Sequence, residues 1–245
     1  MRKQLLNVVM WVLLSVAWGH AQSESEIYGV VVGISKYAQS ASNLSYSHKD
    51  AADMYNLLRL HTPASRLKLL TDENATRANI IKAAEELFSR AKPEDVVIFF
   101  FSGHGNHGLF LTHDREMRFT ELRSVFQKTK AKRKIILADS CLSGTLRTSG
   151  PAAKTNADLG DGVMLFLSSR SNQLSFEDSF LQNGYFTWYL MAGLRGGADA
   201  NLDRIITARE LFDFVNPRVR SENNGRQVPV MWGRFDDNMV ILNWK

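Results

Sequence analysis

Three stretches of this chain are apolar at nearly every position: Ile27 to Ile34, Val96 to Phe101 and Ile135 to Ala138. A strand with one wet face alternates apolar and polar residues, so an unbroken apolar run of strand length needs cover on both faces. Each run stops abruptly at polar residues. Ser35 follows the first, Ser102-Gly103-His104-Gly105 the second, and Asp139-Ser140-Cys141 the third. In an open parallel sheet, binding and catalytic groups collect at this carboxyl edge of the strands.

The intervening segments fit that architecture. Asp50 to His61 places Met54, Leu57 and Leu58 on one helical face. Thr76 to Ala91 repeats Ile80, Ala84, Leu87, Phe88 and Ala91 at helical spacing, and Pro93 ends it. Helices are also predicted over Thr120 to Thr129, Tyr185 to Leu194 and Ala208 to Val215. Strands are predicted over Leu67 to Leu70, Leu109 to Leu111, Val163 to Leu167 and Met239 to Leu242. Leu142 to Gly162, with four glycines and one proline, reads as a long flexible loop. Strands alternating with helices predict an α/β domain with a mostly parallel sheet and helices on both faces.

An apolar fraction of 44% over 245 residues supports a sizeable core. The formal charge of +5 falls to about +3 once Arg2 and Lys3 are removed with the first segment, and no basic stripe is interleaved with aromatics, which argues against nucleic acid as a partner. That first segment has the form of a secretory signal: Arg2 and Lys3, an apolar stretch from Leu5 to Trp18, then Gly19-His20-Ala21 with a cut after Ala21. The apolar stretch is short for a bilayer span, the alternative being an uncleaved anchor. The expected organisation is a signal peptide over 1–21 and one domain over 22–245. The protein would be exported to the periplasm or beyond, without stable membrane insertion once the signal is gone.

Cys141 is the single cysteine, so no internal disulfide exists. It is either an inert buried thiol or a functional one. Its setting favours function: a thiol and an imidazole, His104, each follow the carboxyl end of an apolar strand. An imidazole can take the thiol proton and later protonate a leaving amine. Gly103 and Gly105 allow a tight turn around His104. The backbone amides of Gly105 and Cys141 are placed to hold an oxyanion.

Asp139 stands two residues before Cys141, on the same side of the strand if the period of two persists. A carboxylate beside a thiolate raises the thiol pKa, so it needs another purpose. Binding a substrate Lys or Arg supplies one, and Asp50 is a second acid within reach. The plain alternative for Asp50 is a carboxylate at a helix start.

Three strings together resemble the caspase and metacaspase group of cysteine peptidases: Ser102-Gly103-His104-Gly105, Asp139-Ser140-Cys141-Leu142-Ser143-Gly144, and Asp50-Ala51-Ala52-Asp53-Met54. Phe186-Thr187 through Gly193-Leu194 is also typical of bacterial members. The resemblance spans Ile27 to about Val215. It implies a caspase-like sandwich with about six strands, a large-subunit-like part to about residue 150 and a small-subunit-like part from about 160. It implies a Cys141–His104 dyad without a required third member. Caspases proper cut after Asp, whereas metacaspases cut after Arg or Lys and use acids to hold them, which fits Asp50 and Asp139. Ser102 and Ser47 match other residues lining that pocket, with Ser47 departing from the cysteine often seen there. Ser168-Ser169-Arg170 resembles the segment that pairs with the substrate backbone.

The resemblance requires no cofactor. The acidic calcium loop that follows the histidine in many metacaspases is absent. A second candidate for Ca²⁺ is Asp199, Asn201, Asp203 and Glu210, which match an EF-hand loop except for Arg204 where glycine is expected. The alternative is a capping box formed by Thr207 and Glu210. Arg147 and Lys154, in the loop after Cys141, are either self-cleavage points or solvated cations. The leading reading is an exported cysteine endopeptidase acting on peptides with Arg or Lys before the cut bond. Acyl transfer to an amine by the same dyad, and a non-catalytic module of the same fold, are the alternatives.

Overall fold

A computed structural model describes residues 25–106, 108–140, 160–169 and 177–244. The expected signal peptide, Cys141, Arg170 and the self-cleavage candidates Arg147 and Lys154 lie outside the described residues.

The elements run in order as β1 (Ile27–Gly33), α1 (Ser47–Leu58), β2 (Leu67–Thr71), α2 (Arg77–Phe88), β3 (Val96–Ser102), β4 (Gly105–Asn106), β5 (Leu109–Leu111), β6 (Glu116–Arg118), α3 (Phe119–Lys128) and β7 (Arg133–Asp139). They continue with β8 (Val163–Leu167), β9 (Glu177–Asp178), β10 (Asn183–Gly184), α4 (Tyr185–Ala192), β11 (Ile205–Thr207), α5 (Ala208–Glu222), β12 (Val230–Gly233) and β13 (Val240–Asn243). Six strands form the central sheet in the order β12-β8-β7-β3-β1-β2. Five of them are parallel, and β12 joins antiparallel at the edge beside β8. This is the expected α/β sandwich with a mixed, mostly parallel sheet.

The apolar runs are continuous because alternate side chains enter two different cores. Val97, Phe99 and Phe101 pack with α2 and α3 on one face. Ile98 and Phe100 pack with α1, α4 and α5 on the other. Burial of Phe99, Phe100 and Phe101 is complete. Each such side chain contributes about 1.5–3 kcal/mol relative to exposure, so this run anchors the sheet.

Two sequence expectations change. Met239 to Leu242 does form a strand, but β13 pairs with β11 in a separate two-stranded sheet. The sixth strand of the main sheet is β12, a half-buried to exposed edge strand whose apolar residues Val230-Met231-Trp232 are closed in between Pro229 and Gly233. Helix α5 also runs past Val215 to Glu222, with Pro217 inside it. Burial of both Val215 and Val219 carries the helix across the proline. No helix among the described residues is long and apolar enough to cross a membrane.

Candidate active site

Register sets the floor of the site. Gly33 pairs with Ser102, and Ser102 with Asp139, so three strand ends finish in one row. By alternation, Ser102 and Asp139 point to the face covered by α1 and α4. Gly33 lets α1 close down on that row. A Cβ there would stand 2.2 Å from the Ser47 carbonyl oxygen, so any side chain would lift the start of α1 away.

Asp50, in the first turn of α1, does not cap its own helix. It turns inward and is 1% exposed. Its Oδ2 accepts from Ser102 Oγ at 2.8 Å, and its Oδ1 accepts from Asn183 Nδ2 at 2.8 Å and the Gly184 amide at 3.1 Å. Asp139, 5% exposed, accepts at Oδ2 from the amide and hydroxyl of Thr187, at 3.1 and 2.9 Å. The two acids close around Gly184, where a Cβ would sit 2.2 Å from Asp139 Oδ2 and 3.4 Å from Asp50 Oδ2.

Two buried like charges this near repel, and the fold compensates with one helix terminus. Gly184 caps α4 and Thr187 lies in its first turn, so both carboxylates take otherwise unpaired amides at the positive end of that helix. The compensation is incomplete for Asp50. Burial first, and the charge of Asp139 second, hold its carboxyl well above the usual carboxylate range, against the pull of the Asn183, Ser102 and Gly184 hydrogen bonds. Asn183 is itself oriented by Lys49, whose Nζ bonds the Asn183 Oδ1 at 3.2 Å and Asp53 Oδ2 at 2.6 Å.

His104 follows β3 and is half-buried. Its backbone amide donates to the Tyr37 hydroxyl at 2.7 Å, and the two rings lie 5.1 Å apart. Burial raises the Tyr37 phenol pKa, so Tyr37 stays a neutral acceptor here. The Nε2 of His104 lies 2.8 Å from the Ser42 carbonyl oxygen. A carbonyl only accepts, so Nε2 carries the hydrogen and Nδ1 is the nitrogen left to exchange a proton. Gly105 begins β4 and pairs with Phe110.

Asp139 ends β7, two residues before Cys141. The Ser140 amide donates to Ser168 Oγ at 3.0 Å, and that hydroxyl donates to the Ser140 carbonyl at 3.2 Å. The Ser168 amide bonds the Ala138 carbonyl at 2.9 Å. Ser168 therefore clamps the chain leading to the cysteine. Ser169 is buried beside it, as is Ser47 at the start of α1. Sequence reasoning missed Tyr37, Ser42, Asn183 and Gly184. It noticed Thr187 only as part of a family string. The segment between β1 and α1, which holds Ser42, offers no local signal for a carbonyl that orients an imidazole.

The Asp199 to Glu210 stretch folds into Asx-type turns. Asp199 Oδ1 and Oδ2 accept the Asp203 and Arg204 amides at 3.1 and 2.9 Å, and Asp203 Oδ1 accepts the Ile205 amide at 2.8 Å. Glu210 closes the capping box with Thr207 at the start of α5. Among the described residues no three of His, Cys, Asp or Glu converge as metal ligands do.

The caspase domain family model matches residues 28–239. The chain belongs to the caspase domain family. Its similarity runs to the metacaspase branch: it is 30% identical over 109 residues to Metacaspase-1 of Kluyveromyces lactis, covering 41% of this chain and 25% of that protein. It is 32% identical over 98 residues to Metacaspase-3 of Trypanosoma cruzi, covering 37% and 27%. A probable protease from a Desulfuromonadales bacterium is 26% identical over 240 residues, covering 78% of this chain and 29% of that one. The chain thus spans little more than a quarter of the length of these relatives. In fold, this caspase-domain chain is similar to a crystal structure of a Geobacter sulfurreducens protein, with a TM-score of 0.63 at 18% identity, covering 86% of this chain and 95% of the other.

Proposed function

We propose that this caspase-domain chain is an exported cysteine endopeptidase that cleaves after Arg or Lys. The observation that carries the specificity is the buried pair Asp50 and Asp139, closing around Gly184 at the strand ends that lead to His104 and Cys141. A cationic side chain brought to that pair stabilises both charges, whereas an acidic one adds a third negative charge in a desolvated place.

In this reading Cys141 Sγ, as thiolate, attacks the carbonyl carbon after the basic residue. The thiol proton rests on His104 Nδ1, because Nε2 is committed to the Ser42 carbonyl. The amides of Gly105 and Cys141 hold the oxyanion. The C–N bond breaks as the leaving amine takes the Nδ1 proton. Water then gives a proton back to Nδ1 and attacks the thioester, releasing the acid and the thiolate. Self-cleavage after Arg147 or Lys154 is the same reaction turned on the loop that follows the nucleophile.

A fluorogenic panel with Arg, Lys or Asp before the reporter is the direct test. Arg and Lys peptides should turn over in the wild type and not in Cys141→Ala. Preferred cleavage after Asp, or equal rates in both proteins, would reject the proposal. Intact mass of the two proteins reads out self-cleavage in the same experiment.

Tyr37 is a positioning residue under this proposal, since it holds His104 through the backbone amide. Tyr37→Phe leaves that amide without its acceptor, at a cost of about 1–3 kcal/mol. A kcat lowered about tenfold, with KM for an Arg peptide within about twofold, is expected. A purely structural role would lower the amount of folded enzyme and leave kcat per active site, measured by thiol titration, unchanged.

A further inference from the structure

The β9–β10 hairpin carries two features that belong together. At its base, Asn183 and Gly184 bond Asp50. At its tip, Phe180 is 93% exposed, the most exposed large apolar side chain among the described residues. The exposure does not come from a frayed turn. Asp178 Oδ1 accepts the Phe180 and Leu181 amides, both at 2.8 Å, and its Oδ2 accepts the Tyr185 hydroxyl at 2.9 Å. Glu177 accepts the Ser45 and Tyr46 amides at 3.0 and 2.8 Å, which ties the hairpin to the start of α1. Two carboxylates thus fix a turn whose apolar side chain is left almost fully exposed among the described residues.

Phe180 stands three positions before Asn183, so their Cα atoms lie at most about 11 Å apart. An extended peptide advances about 3.4 Å per residue. A substrate strand seated with its basic side chain at Asp50 and Asp139 and running along this hairpin would reach Phe180 within about three residues of that side chain. We infer that Phe180 is a second specificity point, which takes a bulky apolar substrate residue close to the basic one. This rests on the peptidase reading above and adds a substrate class to it: peptides that combine Arg or Lys with a nearby aliphatic or aromatic residue. An exposed ring on a fixed backbone turn gains from burial without the cost of ordering that turn.

The test is a set of Arg peptides in which each flanking position is varied in turn among Gly, Leu, Phe and Asp. In the wild type, Leu or Phe should exceed Gly about tenfold in kcat/KM at one position within three of the Arg. Phe180→Ser should bring that ratio within about twofold, while Leu60→Ser, which alters another exposed side chain beyond the far end of α1, should leave it. A flat panel, or a preference that survives in Phe180→Ser, overturns the inference. Binding of the same peptides to Cys141→Ala, followed by fluorescence polarisation, separates the two readings because it needs no turnover. Affinity that favours the apolar peptide and loses this preference in the Cys141→Ala, Phe180→Ser double variant supports the subsite, even if the wild type cleaves nothing and the peptidase reading fails. Equal affinities, or no binding, overturn the subsite.

Discussion

Asp50→Asn is expected to make the protein more stable and nearly inactive toward basic peptides. The carboxyl of Asp50 is buried against Asp139, and burial and that neighbouring charge hold its pKa well above the usual range. An amide fits the same place. Its oxygen keeps the Asn183 and Gly184 bonds, and its NH₂ can donate to Ser102, whose hydroxyl turns from donor to acceptor. Relief of a functional-site conflict commonly gives about 1 kcal/mol, or about 2–4 °C in Tm for a domain of this size. Truncating one partner of a buried charge contact costs about 2–5 kcal/mol, so kcat/KM for Arg peptides should fall on the order of 10² to 10³.

The pH dependence follows from the same shift. The folded carboxyl titrates above its unfolded value of about 3.9. Its contribution to stability is therefore fully present below that value and is lost as pH rises through the folded pKa. The Tm advantage of Asp50→Asn should be largest near neutral pH and vanish in acid. Activity runs the other way: kcat/KM for Arg peptides should fall with acidification along a limb placed above the ordinary carboxylate range. Thermal melts from acid to neutral pH and a kcat/KM profile check both. A variant less stable than wild type at neutral pH would show that Asp50 is held by its hydrogen bonds and not opposed by its neighbour.

His104→Ala is expected to lower kcat by about 10² to 10⁴, the usual range for a general acid–base group. The side chain is half-buried on a turn, and among the described residues its ring bonds one backbone carbonyl, so the fold should persist. Thiol alkylation gives a readout independent of any substrate. Without the imidazole, the iodoacetamide reactivity of Cys141 should rise with pH as a plain thiol does, near about 8.5. Full activity in His104→Ala, or an unchanged alkylation profile, would remove the dyad from the mechanism. The Ser42 carbonyl predicts which nitrogen works: ¹⁵N chemical shifts should place the neutral-state proton of His104 on Nε2.

What the sequence conveyed best were features whose cause is local. Val96 to Phe101 reads as a doubly covered strand because a run of six apolar residues needs cover on every side, and Pro93 before it and Gly103 after it hold it to strand length. Thr76 stood out as a helix start because its hydroxyl caps the Asn79 amide, which is three residues away. His104, Asp139 and Cys141 were noticed because each stands directly after such a run. The edge strand β12 was missed because its apolar stretch, Val230-Met231-Trp232, is short and closed in between Pro229 and Gly233. The helix through Pro217 was cut short because only packing of Val219 outweighs the local penalty of the ring.

The amino-acid order by itself determined that a covered parallel sheet forms and that Asp139 and an imidazole follow the ends of its apolar strands, since strand period and helix spacing act over a few residues. Only the tertiary structure decided that Asp50 turns away from its own helix, that α4 offers its first amides to both acids, and that Ser42 and Tyr37 fix the histidine. Those contacts join residues 48 to 134 positions apart. They depend on register and on how closely helices approach the sheet, and a glycine at 33 or 184 reveals its purpose only when the atoms it makes room for have arrived.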